Sequence, residues 1–365
     1  MRGRGRPGRE GPRGRKGGGA GRGALREGLT TALSVRHAVV HFPDGSSERC
    51  DLAPSLFREE SEFTRPVAAG DRVRVETERG RSRIVEVLPR RGWLSRLRGG
   101  KEQVIVANVD QVLVVGSAAW PRFRPRLSDR LIVAAERARF EPVVVINKID
   151  LVEDRAALEE RLAVYRGMGY LALATSTTTG EGVDVLRERL RGRITAAAGP
   201  SGVGKSSLLN AIDPTLQVKT APISDRWGKG VHTTVKSTFH PLAGGGWYVD
   251  TPGMRSFAVA GLDPADLAVF FRDLAPFVDA CRFNSCTHDH EPECAVKTAV
   301  VQGKASLDRY RSYLRILRGD KGAPVDGDDE EDEDLDDEAE DSGAGDGGGE
   351  DDRASPSGAP SDPRP

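Results

Sequence analysis

The stretch Gly199-Pro200-Ser201-Gly202-Val203-Gly204-Lys205-Ser206-Ser207 matches the phosphate-binding pattern GxxxxGK[ST] at every specified position, and the fold can be read outward from it. Its glycines let the backbone turn back on itself, so that successive N–H groups point inward at an anion. Lys205 would reach the terminal phosphates and assist catalysis there. The Ser206 hydroxyl would hold Mg²⁺, and the helix opening at Ser206-Ser207-Leu208-Leu209 would present its positive end to the charge. Leu208, Leu209 and Ile212 share one helical face, and Asp213-Pro214 closes the helix. The motif also needs a strand before it. Ile194–Ala198 is largely alanine, a poor strand former.

With 365 residues, the chain is long enough for two or three domains with their own cores. No apolar run is long enough to cross a membrane or follows the basic start as in a signal peptide, so we expect a cytoplasmic protein without a membrane partner. Three of the four cysteines crowd between Cys281 and Cys294, which suits a metal better than disulfides. The formal net charge of -1 averages unlike regions. Residues 1–27 hold about nine basic and two acidic residues, and residues 321–365 about three basic and eighteen acidic, which leaves the middle near about +7. A mildly basic middle permits an RNA partner without demanding one. Both ends are poor in apolar residues and are expected to be disordered. The Arg-Gly start suits loose phosphate contact or plain solubility. The acidic end suits solubility or screening of basic surfaces.

The intervening text divides by pattern. Residues 35–88 show short alternating apolar runs split by turn residues, as in a small all-β barrel. Arg90, Arg91, Arg96 and Arg98 follow with Trp93 among them, either a nucleic-acid face of the OB type or a barrel with Trp93 in its core. From 103 to 190 the order is βαβα, with strands at 112–115, 143–146 and 171–174 and helices at 127–138 and 155–166. The valine-rich strands do not alternate, so they read as buried on both faces of a parallel sheet.

Asn147-Lys148-Ile149-Asp150 gives NKxD at a strand's C-terminal end, where open α/β sheets bind ligands. A carboxylate at Asp150 accepts from both guanine N1–H and its exocyclic amine, a donor pair adenine lacks, so the site selects GTP over ATP. Ser176, beyond the next strand, would supply a backbone contact to the base. Downstream, Asp250-Thr251-Pro252-Gly253 reads as DxxG, with Asp250 holding Mg²⁺ through water and the Gly253 N–H sensing the γ-phosphate. Between the loop and DxxG, Thr233 or Thr234 would complete the Mg²⁺ shell. Cys281, Cys286 and Cys294, with His288 or His290, offer a closed tetrahedral set for a structural zinc.

Ordinary GTPases run phosphate loop, switch threonine, DxxG, NKxD, serine loop; here NKxD and the serine loop come first. In that order, over residues 35–318, the chain resembles the circularly permuted, small-ribosomal-subunit-dependent GTPases of the ribosome biogenesis GTPase A type. The resemblance implies an α/β fold: a permuted P-loop GTPase domain preceded by an OB barrel and followed by a mainly helical zinc domain. The expected boundaries are 1–30 basic tail, 31–100 barrel, 101–258 GTPase, 259–320 zinc domain and 321–365 acidic tail. The family pattern selects His288 over His290 as the fourth zinc ligand. It also implies the small ribosomal subunit and its RNA as partners and a role in late subunit maturation, with hydrolysis stimulated by the ribosome; we expect a monomer. Three positions depart from the pattern: Thr177 in the serine loop, Val235 after the threonine pair, and the altered linker Arg98-Gly99-Gly100-Lys101-Glu102. Met254 also stands where many GTPases place a water-positioning glutamine, and a thioether cannot orient water. His232 or an element of the ribosome is the expected replacement. The alternative is a nucleotide-gated RNA-binding protein whose hydrolysis is incidental.

Overall fold

A computed structural model describes residues 25–57, 63–98, 100–218, 237–251 and 263–319. Five strands close into a barrel: β1 (Leu25–Leu33), β2 (His37–His41), β3 (Ser47–Leu52), β4 (Arg72–Glu78) and β5 (Arg81–Val87), in the order β1-β2-β3-β5-β4. All neighbours are antiparallel except β3 and β5. Alternation decides which way each strand faces. Val73 and Val75 of β4 point into a core with Val40, Phe42, Cys50 and Ile84, while Arg72 and Arg74 point out. Cys50 is thus a core residue.

β1 starts at Leu25, inside the stretch whose composition predicts disorder. The strand mixes polar residues with Leu29 and Leu33, which pack against the neighbouring cores, and its backbone is held on both edges. It pairs with β2 on one side and β4 on the other, and buried Thr30 Oγ1 donates to the Ala68 carbonyl at 2.6 Å.

A separate hairpin follows, β6 (Trp93–Arg98) and β7 (Lys101–Ala107), with Arg98 opposite Lys101. The altered linker of the sequence therefore joins the paired ends of this hairpin. Neither reading of Trp93 as barrel core nor of the arginines as one free face holds. Trp93 is 38% exposed. Arg90 is buried and makes two bonds to the fully buried Asp71 carboxylate at 2.7 and 2.9 Å, and Arg91 reaches Asp110 at 3.1 Å.

Beyond the hairpin, chain order gives β8 (Gln111–Ser117), α1 (Pro125–Arg137), β9 (Glu141–Asn147), α2 (Arg155–Gly167), β10 (Leu171–Ala174), α3 (Val183–Leu190), β11 (Ile194–Ala198), α4 (Lys205–Ile212), β12 (Thr238–Pro241) and β13 (Trp247–Asp250). The sheet order is β10-β9-β8-β11-β13-β12, parallel except for β12. The alanine-rich β11 forms because ladders to β8 and β13 override its weak propensity, and Ala196 to Ala198 are wholly buried.

A helical module closes the described chain: 3-10 turns at Pro264–Phe270 and Ala275–Ala280, then α5 (Ala295–Val301) and α6 (Leu307–Leu317). Asp263 caps the first turn, accepting from the Ala265 N–H at 3.0 Å, with Pro264 following it as expected. The module packs on α1. Val133 of α1 enters its core, and Arg309 of α6 pairs with buried Asp129 of α1 at 2.5 Å and with Asp273 at 3.4 Å. Among the described residues, no helix is long and apolar enough to cross a membrane.

Candidate nucleotide site and metal centre

Because β9, β10, β11 and β13 run parallel, their C-terminal ends meet at one edge of the sheet. That edge collects Asn147, the serine loop, the phosphate loop and Asp250. β11 delivers the chain into Gly199, and α4 begins at Lys205. Lys205 Nζ donates to the carbonyls of Gly199 and Pro200 at 2.8 and 2.9 Å, so the ammonium braces its own loop. Tyr248 of β13 donates to the Lys205 carbonyl at 3.1 Å, and Thr251 Oγ1 to the Ala197 carbonyl at 2.8 Å.

Asn147 ties the base side to the phosphate side. It is 1% exposed; Nδ2 donates to the Val203 carbonyl of the phosphate loop at 3.0 Å, and Oδ1 accepts from Thr175 at 3.2 Å. This close approach requires Gly204, since a Cβ there would lie 2.4 Å from Asn147 Nδ2 in a backbone at φ +98°. Lys148, held at φ 63°, donates to the Trp120 carbonyl at 2.7 Å. Ile149 is wholly buried and anchors the turn. Ser176 Oγ donates to Asp150 at 2.6 Å and accepts from the N–H groups of Thr178 and Thr179. The Ser176 bond holds Asp150 below the usual carboxylate range, so the group is ionised at neutral pH and acceptor-only, as guanine requires.

At the other end of the edge, burial raises Asp250 and lowers Lys205, each opposed by the other's charge; His240 of β12 also favours the Asp250 carboxylate. A half-buried carboxylate at Asp250 and a hydroxyl at Ser206, at the start of α4, are oxygen ligands of the kind a divalent cation such as Mg²⁺ takes. When bound, Mg²⁺ would supply charge to neutralise phosphate oxygens. His232, Thr233, Thr234, Val235, Gly253 and Met254 lie outside the described residues, as do residues 1–24 of the expected basic tail and the expected acidic tail at 321–365.

The second constellation is a metal centre. The ligand atoms of Cys281, Cys286, His288 and Cys294 all lie within 4.8 Å of one another. Cys281 and Cys294 sulfurs are 3.8 Å apart, and His288 Nδ1 lies 3.4 and 3.5 Å from them. A tetrahedral zinc with bonds of about 2.3 Å to sulfur and about 2.0 Å to nitrogen requires edges of about 3.8 and 3.5 Å. The donor set therefore fits structural zinc with no open position. His288 is fully buried and His290 exposed, which agrees with the choice of His288. Tyr310 and Tyr313 of α6 brace the knuckle, donating to the carbonyls of His288 and Thr287 at 2.6 and 2.5 Å.

Sequence reasoning missed the bracing residues. Thr175, beside Ser176, carried a local signal. Tyr248 and Trp120 carried none, because their contributions depend on where other strands bring their partners.

Comparison with known proteins agrees with this geometry. The RsgA GTPase family profile matches residues 87–260. A protein of Chlorobaculum parvum named "Small ribosomal subunit biogenesis GTPase RsgA" is 41% identical over 302 residues, covering 80% of this chain and 96% of that protein. One of the same name from Gemmatimonas aurantiaca is 44% identical over 258 residues, covering 68% and 83%. The crystal structure of YjeQ from Thermotoga maritima aligns with a TM-score of 0.66 at 32% identity, covering 82% of this chain and all of the other. YloQ, described as a circularly permuted GTPase, aligns at 0.62 and 26% identity, covering 84% and 99%. Fold, motif order and similarity over most of its length place the chain in one group: it belongs to the RsgA GTPase family.

Proposed function

We propose that this protein binds the small ribosomal subunit during its late maturation and hydrolyses GTP there, with hydrolysis stimulated by the subunit. The observation that supports this reading best is the joint placement of an ionised Asp150 and the phosphate loop, tied through Asn147, at one sheet edge in a chain whose relatives are named for that process. Asn147 to Asp150 and Ser176 hold the guanine side, and Gly199 to Ser207 cradle the phosphates. Ser206, Asp250 and Thr233 or Thr234 hold Mg²⁺, and Gly253 follows the γ-phosphate. The subunit's RNA is the contact partner, and the protein works as a cytoplasmic monomer. Co-sedimentation with purified subunits tests the partner: small-subunit binding stronger with a non-hydrolysable GTP analogue than with GDP supports the reading, and equal retention by both subunits overturns it.

The water-positioning group is assigned to His232. Loss of stimulated turnover in His232→Ala, with nucleotide affinity unchanged, supports this; full turnover transfers the role to the ribosome. Met254 after DTPG also favours a second reading, an RNA-binding protein gated by nucleotide with incidental hydrolysis. A turnover rate unchanged by saturating small subunit would select it.

A further inference from the structure

A cavity of about 260 Å³ lies away from the nucleotide edge, between hairpin strand β6 and the C-terminal end of α1. Its walls carry Arg91, Trp93, Ser95, Arg137 and Arg139. That volume falls just below the ~300 Å³ lower bound for pockets that enclose a whole small molecule. It suits one flat group entering from a larger partner.

The lining has two chemistries. Arg137 and Arg139 have no ion-pair or hydrogen-bond partner among the described residues, so two guanidiniums at the end of one helix are unneutralised. Arg91 is already turned toward the same region by the Asn108 carbonyl at 3.0 Å and Asp110 at 3.1 Å. The indole of Trp93 is held by its N–H donating to Glu102 at 3.0 Å and by an edge contact from Phe63 at 5.5 Å, yet 38% of the residue remains exposed. The Ser95 hydroxyl adds a donor and acceptor without a partner among the described residues.

The pocket is built rather than incidental. A Cβ at Gly92 would lie 1.9 Å from the Ala138 carbonyl, so the hairpin is seated directly on the end of α1 and the two walls are fixed relative to each other. A fixed aromatic wall flanked by free guanidiniums is the arrangement that receives an unpaired base and its phosphates: the ring stacks, and the arginines neutralise the backbone. An acidic peptide would use the arginines but leave the indole without a partner.

We infer that the cavity between β6 and the end of α1 is a docking site for one splayed nucleotide of single-stranded RNA, with Trp93 under the base and Arg137 and Arg139 on the flanking phosphates. The inference rests on the proposed role at the small subunit, and its test separates the two. The probe is a fluorescein-labelled, mixed-sequence, single-stranded oligoribonucleotide, titrated against the full chain at several salt concentrations, alongside small-subunit co-sedimentation of the unaltered protein. The double variant Arg137→Ala, Arg139→Ala is expected to lose about tenfold in affinity and to flatten the log–log salt slope by about 1.4, two contacts at about 0.7 each. Trp93→Ala is expected to lose affinity without changing the slope, and Trp93→Phe to restore most of it. GDP affinity should stay within twofold in every variant, which also shows that they fold. Oligonucleotide affinity within twofold of wild type in the arginine and Trp93→Ala variants overturns the site while leaving the small-subunit role intact. Polyglutamate bound as tightly as RNA and lost in the same variants assigns the pocket to an acidic peptide and overturns the RNA assignment. Absence of small-subunit preference in the co-sedimentation overturns the functional reading itself.

Discussion

Ser176 was expected to offer guanine a backbone contact, and its side chain also sets the charge of Asp150. Removing the hydroxyl should let the Asp150 pKa rise toward its ordinary value and loosen the loop held through Thr178 and Thr179. Ser176→Ala is predicted to weaken GDP binding by about 1 kcal/mol, roughly fivefold, by titration calorimetry, the usual worth of one such bond. The pH dependence follows from the direction of the shift. A depressed Asp150 stays ionised until pH falls through its lowered pKa, so guanine affinity should be flat across neutral pH. Asp250 is displaced the other way, so its carboxylate begins to protonate at a higher pH than an exposed aspartate would. Affinity for Mg²⁺-GTP, which needs the charged form, should therefore begin to fall at higher pH than affinity for metal-free GDP. Asp250→Asn should remove that difference.

At the scale of elements, the load falls on α1, which meets the sheet on one side and the zinc module on the other. Arg309 on α6 is 3% exposed and sits between Asp129 of α1 and Asp273. Its guanidinium also covers the Phe271 ring at 4.8 Å. Removing the cation would strand two buried carboxylates, so Arg309→Leu is predicted to destabilise the protein by about 3–5 kcal/mol in urea unfolding. A loss under about 1 kcal/mol would show that the pair contributes little to docking. Such elements differ in how far the sequence reveals them. The valine runs of β8 and β9 and the apolar face of α4 state their environment locally, because each is buried on a regular period. β1 does not: its apolar residues Leu25, Leu29, Ala32 and Leu33 do not alternate with its polar ones, it contains a glycine, and pairing on both sides is what makes it a strand. The β6–β7 hairpin was likewise hidden, since the sequence joining its strands resembles a loose linker and Arg90 and Arg91, just before it, find partners elsewhere in the chain. The nucleotide motifs were legible because backbone turns and base contacts demand particular residues at fixed spacing. The residues that hold those motifs in place, Tyr248 and Trp120 among them, were not.

Over the whole molecule, permutation decides which parts are near one another in the chain. The strand carrying Asp250 ends only a short segment before the zinc module begins at Pro264. A change at the γ-phosphate thus has a short covalent route to a rigid knuckle. Hydrogen exchange across residues 281–317 should differ between the GDP and GTP-analogue states; identical exchange would remove this route. The knuckle itself depends on its metal, because three thiols, two of them buried, and a buried imidazole form its centre. Metal analysis should find one zinc per chain. Cys286→Ser should lose it and raise exchange throughout α5 and α6, while GDP affinity changes by less than about threefold because the nucleotide residues stand on the sheet. The central claim is that this permuted GTPase responds to the small ribosomal subunit, and single-turnover GTP hydrolysis with no addition, with small subunits and with large subunits tests it most directly. The account predicts a slow basal rate raised at least about tenfold by small subunits alone, and a rate indifferent to small subunits would contradict it.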